Sequence, residues 1–459
     1  MVNKMSLMEE IYSYIDENSE RFVKELIELV RKPSVAATGE GIEECAEAVK
    51  ELMERVGLEV KVIPEKDGNP VIYGEIKSEK SDKTLLFYDH YDVQPPDPIE
   101  EWESPPFSGE IRDGKIYGRG VSDNKGNLVS RLMAVEAFLK VMGEVPANIK
   151  FVVEGEEEIG SPHLAPVIKE YADLFSADAC IWEFGGINRN GNPCLYLGLK
   201  GVLSVELRAE GAKRDVHSAN APIIPNPAWR LVWALNSIKN EKDEILIEGF
   251  YENVEEPSAE EIECLKSIPF EEEETKRELG LKNFLHGLTG LEALKALLFN
   301  PTCTINGIHS GYGGAGSKTV LPCKAFAKLD FRLVPRQMPD EILEKLKTHL
   351  KNKGFEDIKI IRYGSTEPTR TPVNHPFVHL VASVAEKVYG KKAVIYPTSA
   401  GSGPMHLFRN WLKIPVVSAG CSYPEARGHA PNENLPVNLF IKGIKFMATL
   451  INDFALDFK

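Results

Sequence analysis

Several features are missing from this sequence, and each absence argues against a class of function. No run of about 18 apolar residues occurs in the 459, so no segment predicts a membrane-spanning helix. The first 22 residues carry acidic side chains early and no apolar stretch before a small-residue cleavage site. They predict an amphipathic helix, not a signal peptide. The seven cysteines (45, 180, 194, 264, 303, 323 and 421) form no CxxC pair, which points to neither a disulfide framework nor a thiolate metal site. A reducing, cytoplasmic setting fits that usage. No basic block offsets the formal net charge of −15, so nucleic acid is not an expected partner. A GxSxG elbow is absent too, which argues against a serine hydrolase. Internal repeats and low-complexity tracts are also lacking.

What is present is ordinary in bulk. Hydrophobic residues make up 43% and charged residues 27%, as in a typical soluble globular chain. The length exceeds what one hydrophobic core usually organises, so two domains are expected. Apolar spacing predicts helices over 7–31 and 40–56, with Gly57 as a stop, then short strands at 58–63, 71–77 and 84–89. A helix at 125–142, a strand at 149–153, a helix near 162–175 and a strand at 178–182 follow. This alternation predicts an α/β layer with a largely parallel sheet. After Lys200 the pattern changes. Segments 201–211 and 323–334 alternate apolar and polar residues, as strands with one solvated face do. With helices at 226–239 and 339–353 and a strand at 356–363, they predict a small antiparallel sheet with two helices on one face. The Glu-rich stretch 252–280 is expected to interrupt it. The α/β pattern returns from about 370, so one domain (1–200 and 370–459) is expected to be interrupted by another (201–369).

Five places carry candidate chemistry. In Tyr88-Asp89-His90-Tyr91-Asp92, strand alternation turns His90 and Asp92 the same way, and an aspartate can fix a histidine's tautomer. Asp123 lies in the glycine-rich turn YGRGVSDNKG, just before a helix. Four glutamates crowd the end of the strand at 149–153 (Glu154, Glu156, Glu157, Glu158), and their mutual repulsion calls for a compensating positive charge. Glu183 ends another apolar strand, and His429 sits in a loop. Each alone has a bland reading: a surface pair, a helix cap, a solvated charge run, a structural histidine. Taken together, two histidines and three carboxylates make a ligand set for a pair of Zn²⁺, Mn²⁺ or Co²⁺ ions, and a spare glutamate beside a ligand could move a proton.

The strings YDHYDVQP, WESPPFSGEIRDGKIYGRGVSDNKG, EGEEEIGS, GSKTVLP and GHAPNE, in this order from about 85 to 435, resemble those of the aminoacylase/carboxypeptidase metallopeptidase family. Its members include cytosolic dipeptidases, glutamate carboxypeptidase, acetylornithine deacetylase and succinyl-diaminopimelate desuccinylase. The resemblance implies a zinc-peptidase-like α/β catalytic domain interrupted by a smaller α+β lid and dimerisation domain, in a homodimer. It implies that Asp123 bridges two divalent cations, Zn²⁺ first, with His90 and Glu183 on one and Glu158 and His429 on the other. Glu157 would be the general base, Asp92 would orient His90, and the Asp123–Asn124 peptide bond would be cis. His217 would reach across the dimer to the oxyanion, although Ala219 stands where relatives often have Gly. Arg332, Gly401 and Ser402 would hold the substrate carboxylate. Glu183 departs from the cytosolic dipeptidases, which usually have Asp there; Glu is more typical of the carboxypeptidases and deacylases. The function implied is hydrolysis of the amide bond of a dipeptide or short peptide next to a free carboxylate. The alternative is an N-acyl amino acid deacylase, and a non-catalytic metal-binding scaffold is a third reading. Neither a membrane nor nucleic acid is an expected partner.

Overall fold

The computed structural model describes residues 6–64 and 68–458. The amino-terminal periodicity folds as two helices, Leu7–Glu17 and Ser19–Val30, not one, because Asn18 leaves helical geometry between them (φ −102°, ψ 7°). Ser6 and Glu9 close a capping box on the first helix, satisfying two otherwise unpaired backbone donors. Gly57, at φ 114°, ends the helix Ile42–Val56 where the sequence places its stop.

The central sheet has nine strands. Its order runs Glu59–Ile63, Val71–Ile76, Asn148–Glu154, Thr84–His90, Ala179–Trp182, Val416–Ser418, Pro193–Tyr196 and Val394–Tyr396, with Gly186–Ile187 paired alongside. The four middle strands are mutually parallel, as are the last two of the order, Pro193–Tyr196 and Val394–Tyr396. Antiparallel pairings occur on either flank of this parallel centre, so the sheet is mixed. The parallel strands read as unbroken apolar runs because both faces of the sheet are buried, one of them under long helices. The helices Gly126–Met142 and Val437–Asp457 pack there, with Leu132, Phe138, Phe440 and Phe454 fully buried. The carboxyl ends of the four parallel strands lie side by side, which is where open α/β sheets hold ligands. His90 and Glu154 are the last residues of two of them, and Glu183 directly follows a third.

A second, antiparallel sheet has the order Thr302–Ser310, Lys324–Leu333, Gly201–Glu210, Lys359–Thr366. Helices Pro227–Ile238 and Pro339–Asn352 cover one face, as the alternation predicts. Its edge strand Thr302–Ser310 escapes sequence reading because most of its residues are polar or exposed and little alternation remains. The interrupting stretch forms helices Ala259–Ser267 and Glu272–Glu278, and the helix Gly290–Phe299 follows it. Their apolar residues Leu265, Leu294, Leu298 and Phe299 pack with Cys194 and Val394, on the edge of the nine-stranded sheet. Lys200 fastens this contact by donating to the Leu297 and Asn300 carbonyls (2.8 and 2.6 Å).

Candidate metal centre and its cleft

The turn after the strand Lys115–Tyr117 is shaped by Gly120 (φ 84°), where a Cβ would lie 2.4 Å from Val93. It delivers Asp123 just ahead of the helix Gly126–Met142, through the expected cis Asp123–Asn124 bond. Glu433 holds the turn. Its buried carboxylate accepts from the backbone N–H groups of Gly120, Ser122 and Asp123 (3.0, 2.9 and 3.0 Å) and from Arg119 (2.8 Å). The motif GHAPNE contains Glu433, but no local spacing signals that it serves a turn more than 300 residues away.

Asp123 stands between the two histidines. Its Oδ1 lies 3.1 Å from His90 Nε2, and its Oδ2 lies 3.1 Å from His429 Nε2. Glu158 Oε2 approaches His429 Nε2 at 3.1 Å, and Glu183 Oε2 approaches His90 Nε2 at 3.9 Å. The structure thus brings the five sequence-derived ligand candidates together. Ligand atoms around a tetrahedral ion at roughly 2.0–2.2 Å stand about 3.3–3.6 Å apart, so this arrangement fits bound cations. His90, Asp123 and Glu158 also have ligand atoms that all lie within 4.8 Å of one another. The charge balance makes the same demand. Burial pushes Glu157 up to about 8 and Glu183 well above the carboxylate range, with nearby carboxylates adding to both. Hydrogen bonds to Asp123 and Glu158 raise His429 to about 10. Burial opposes protonation of His90, yet Asp123 and Asp92 outweigh it. Burial would likewise raise the Asp123 carboxyl, but His429 and His90 hold it low. A cluster this acidic calls for positive charge at its centre.

Asp92 acts in two ways. Its backbone carbonyl is 3.0 Å from His90 Nδ1 and can only accept, so Nδ1 carries the proton and Nε2 faces Asp123. Its carboxylate, 3.4 Å from the same nitrogen, accepts from the Glu157 and Glu158 backbone N–H groups (3.2 and 2.9 Å) and fixes the glutamate turn. Gln94 donates to the Glu158 carboxylate and carbonyl, both at 3.0 Å. Trp182 Nε1 and Asn124 anchor Glu183. Behind these groups, the buried Arg131 pairs with Asp89 at 2.7 Å and donates to the carbonyls of Tyr88, Trp182 and Ala419, tying three strand ends together.

Arg332 points at the loop after the strand Val394–Tyr396: its guanidinium donates to Ser402 Oγ at 2.8 Å. Gly401 accepts from Lys200 N through its carbonyl at 2.9 Å. Next in that loop, Gly403 comes so near the site that a Cβ on it would lie 3.6 Å from Glu157 Oε1. Arg332, Ser402 and Glu157 therefore occupy one neighbourhood. His217 does not join them within the chain. It is exposed, and its ring accepts from Ala219 N (3.1 Å) and meets Thr319 Oγ1 (3.3 Å). Asp123 also lines a cleft of about 580 Å³.

The model of peptidase family M20/M25/M40 matches residues 86–453. A solved structure, the M20 family metallo-carboxypeptidase Sso-CP2 of Sulfolobus solfataricus, is 42% identical, with a TM-score of 0.90 over 95% of this chain and 99% of that one. The Cys-Gly metallodipeptidase dug1 of Schizosaccharomyces pombe is 28% identical over 480 residues, covering 98% of this chain and 99% of that protein. The human Beta-Ala-His dipeptidase is 28% identical over 478 residues, or 98% of this chain and 93% of that protein.

Proposed function

The chain belongs to peptidase family M20/M25/M40 and hydrolyses peptide amide bonds, and on that premise we propose that it releases the carboxyl-terminal residue from dipeptides or short peptides. Two divalent ions, Zn²⁺ first, would be held by Asp123 as the shared ligand, by His90 and Glu183 at one site and by Glu158 and His429 at the other. When bound, such a pair supplies Lewis-acid polarisation of a carbonyl and acidifies water. Glu157 takes the proton of the attacking water and passes it to the leaving amine. Arg332 pairs with the substrate's free carboxylate, which its planar fork suits, and Ser402 and Gly401 border that anchor.

We assign 1–200 and 370–459 to the catalytic domain and 201–369 to the lid and dimerisation domain. Dimerisation is supported by the helix Pro227–Ile238, which exposes Trp229, Val232 and Trp233 on one face. In the dimer His217 reaches the partner's site and donates to the oxyanion. The observation that carries the reading is that Glu157 adjoins both the ligand cluster and the loop whose Ser402 accepts from Arg332.

The test is a matched panel given to metal-loaded protein: free dipeptides, tripeptides, their carboxyl amides and N-acetyl amino acids. Hydrolysis of free peptides but not of the amides is expected. Equal hydrolysis of the amides would remove the carboxylate anchor. Glu183 keeps a second reading in play, hydrolysis of N-acyl amino acids by the same groups, and preference for the N-acetyl compounds would select it.

A further inference from the structure

The cleft beside Asp123 is lined by Phe184, Tyr196, Tyr396, Tyr423 and Arg427, and none of Glu157, Arg332 or Ser402 lines it. The carboxylate anchor therefore lies outside the cleft. Its aromatic wall is organised. Tyr196 stacks on Tyr396 with centroids 4.6 Å apart at 25°, and Phe184 leans on Tyr196 at 5.1 Å. The Tyr423 hydroxyl donates to Asn434, which fixes that ring at the rim. The volume, about 580 Å³, falls within the roughly 300–1,000 Å³ of pockets that enclose drug-sized ligands. That is more room than the single acyl-side residue of a dipeptide needs. The space also continues: Tyr396 and Asn188 border a second hollow of about 290 Å³, walled by Phe270 and Glu271 from the interrupting stretch.

We propose that this cleft is the subsite for the acyl side of the substrate, that it takes an aromatic or large apolar residue next to the scissile bond, and that it leaves room for at least one further residue. The inference rests on the carboxylate-anchored peptidase reading and deepens it: the protein is a carboxypeptidase for short peptides more than a strict dipeptidase. Tyr196 and Tyr396 supply flat, rigid apolar area that a glycine or alanine at that position leaves uncovered. Neither ring belongs to the ligand cluster or to the motifs that carry the family resemblance, so they tune selectivity and not chemistry.

The experiment compares kcat/KM for Gly-Leu, Phe-Leu and Gly-Phe-Leu, which share a leaving residue, in the wild type and in Tyr196→Ala. The wild type is expected to prefer Phe-Leu and Gly-Phe-Leu to Gly-Leu by about tenfold or more. Tyr196→Ala is expected to shrink the Phe-Leu to Gly-Leu ratio by about the same factor. A ratio unchanged in a variant with wild-type thermal stability, or a wild type that cleaves Gly-Leu best and spares Gly-Phe-Leu, overturns the proposal while leaving the anchored-peptidase reading standing. Hydrolysis of none of the three overturns that reading and this inference with it. Should Tyr196→Ala fail to fold, Tyr396→Ala reports on the same ratio from the facing ring.

Discussion

At the scale of single residues, the site is a balance of charges in which the carboxylates outnumber the two histidines they share. Glu157 stands apart because, among the site's carboxylates, burial raises it to about 8 and no hydrogen bond to its carboxylate offsets the cost. A group so placed is suited to carry a proton between two partners. Glu157→Gln should lower kcat by about 10²–10⁴ while both metals stay bound, read by steady-state kinetics beside metal analysis of the dialysed protein. Retained turnover would remove Glu157 from the chemistry. Glu433 gives the complementary case, a residue far from substrate that holds the bridge in place. Its carboxylate satisfies three backbone donors and the buried Arg119. Glu433→Ala would leave a charged guanidinium unpaired, which costs about 3–5 kcal/mol. Denaturant unfolding should show that loss, and titration with Zn²⁺ should show weaker binding because Asp123 loses its backbone hold. Normal metal affinity in the variant would mean that the turn stays formed without it.

At the scale of elements, the sequence is most legible where spacing and chemistry coincide. His90, Asp123, Glu157, Glu158 and Glu183 end strands or begin helices, and apolar runs bounded by turn residues mark those ends. The helix stop at Gly57 and the turn at Gly120 are legible because only glycine takes those backbone angles cheaply. Less legible is whatever depends on distant partners. The split at Asn18 interrupts an apolar stripe that continues on both sides of it, and the flanking strands pair antiparallel for reasons their composition does not record. The roles of Glu433 and Arg131 come from contacts across the chain.

One such contact carries a pH prediction. His406 is buried beside the anchor loop, its ring set edge-on against Trp411. Burial lowers it from 6.5 to about 4. A base with a depressed folded pKa binds fewer protons folded than unfolded, so stability falls as pH drops from 6.5 and levels off below about 4. The loss attributable to this group amounts to about 3 kcal/mol. His406→Gln should flatten the stability profile across that window, measured by urea unfolding at stepped pH. A slope identical to the wild type would assign acid lability to other groups.

At the scale of the whole molecule, the open question is what the exposed second sheet and its helices do for a site built on the first. Trp229 and Trp233 lie on one face of the helix Pro227–Ile238, 58% and 56% exposed with rings 6.0 Å apart, and Val232 joins them. Large apolar side chains grouped in this way mark an interface. The His217 ring, among the described residues, meets Ala219 N–H and Thr319 Oγ1 and no group of the site, although the proposed mechanism requires an oxyanion donor. A two-fold dimer joins these observations, since it would bury the tryptophans and present each histidine to the opposite site. Trp229→Glu combined with Trp233→Glu should give a monomer by light scattering that keeps its metals and loses most turnover. The stronger test separates reach across the dimer from reach within the chain. His217→Ala and Glu157→Ala are each expected to be nearly inactive as pure dimers. Mixed and re-equilibrated, half of the dimers pair one of each, and in those one site has an intact Glu157 facing an intact His217. Turnover should then recover to about a quarter of the wild-type level, because half of the dimers have one of their two sites restored. If His217 serves its own chain, every site in the mixture lacks one of the two residues and the recovery is nil.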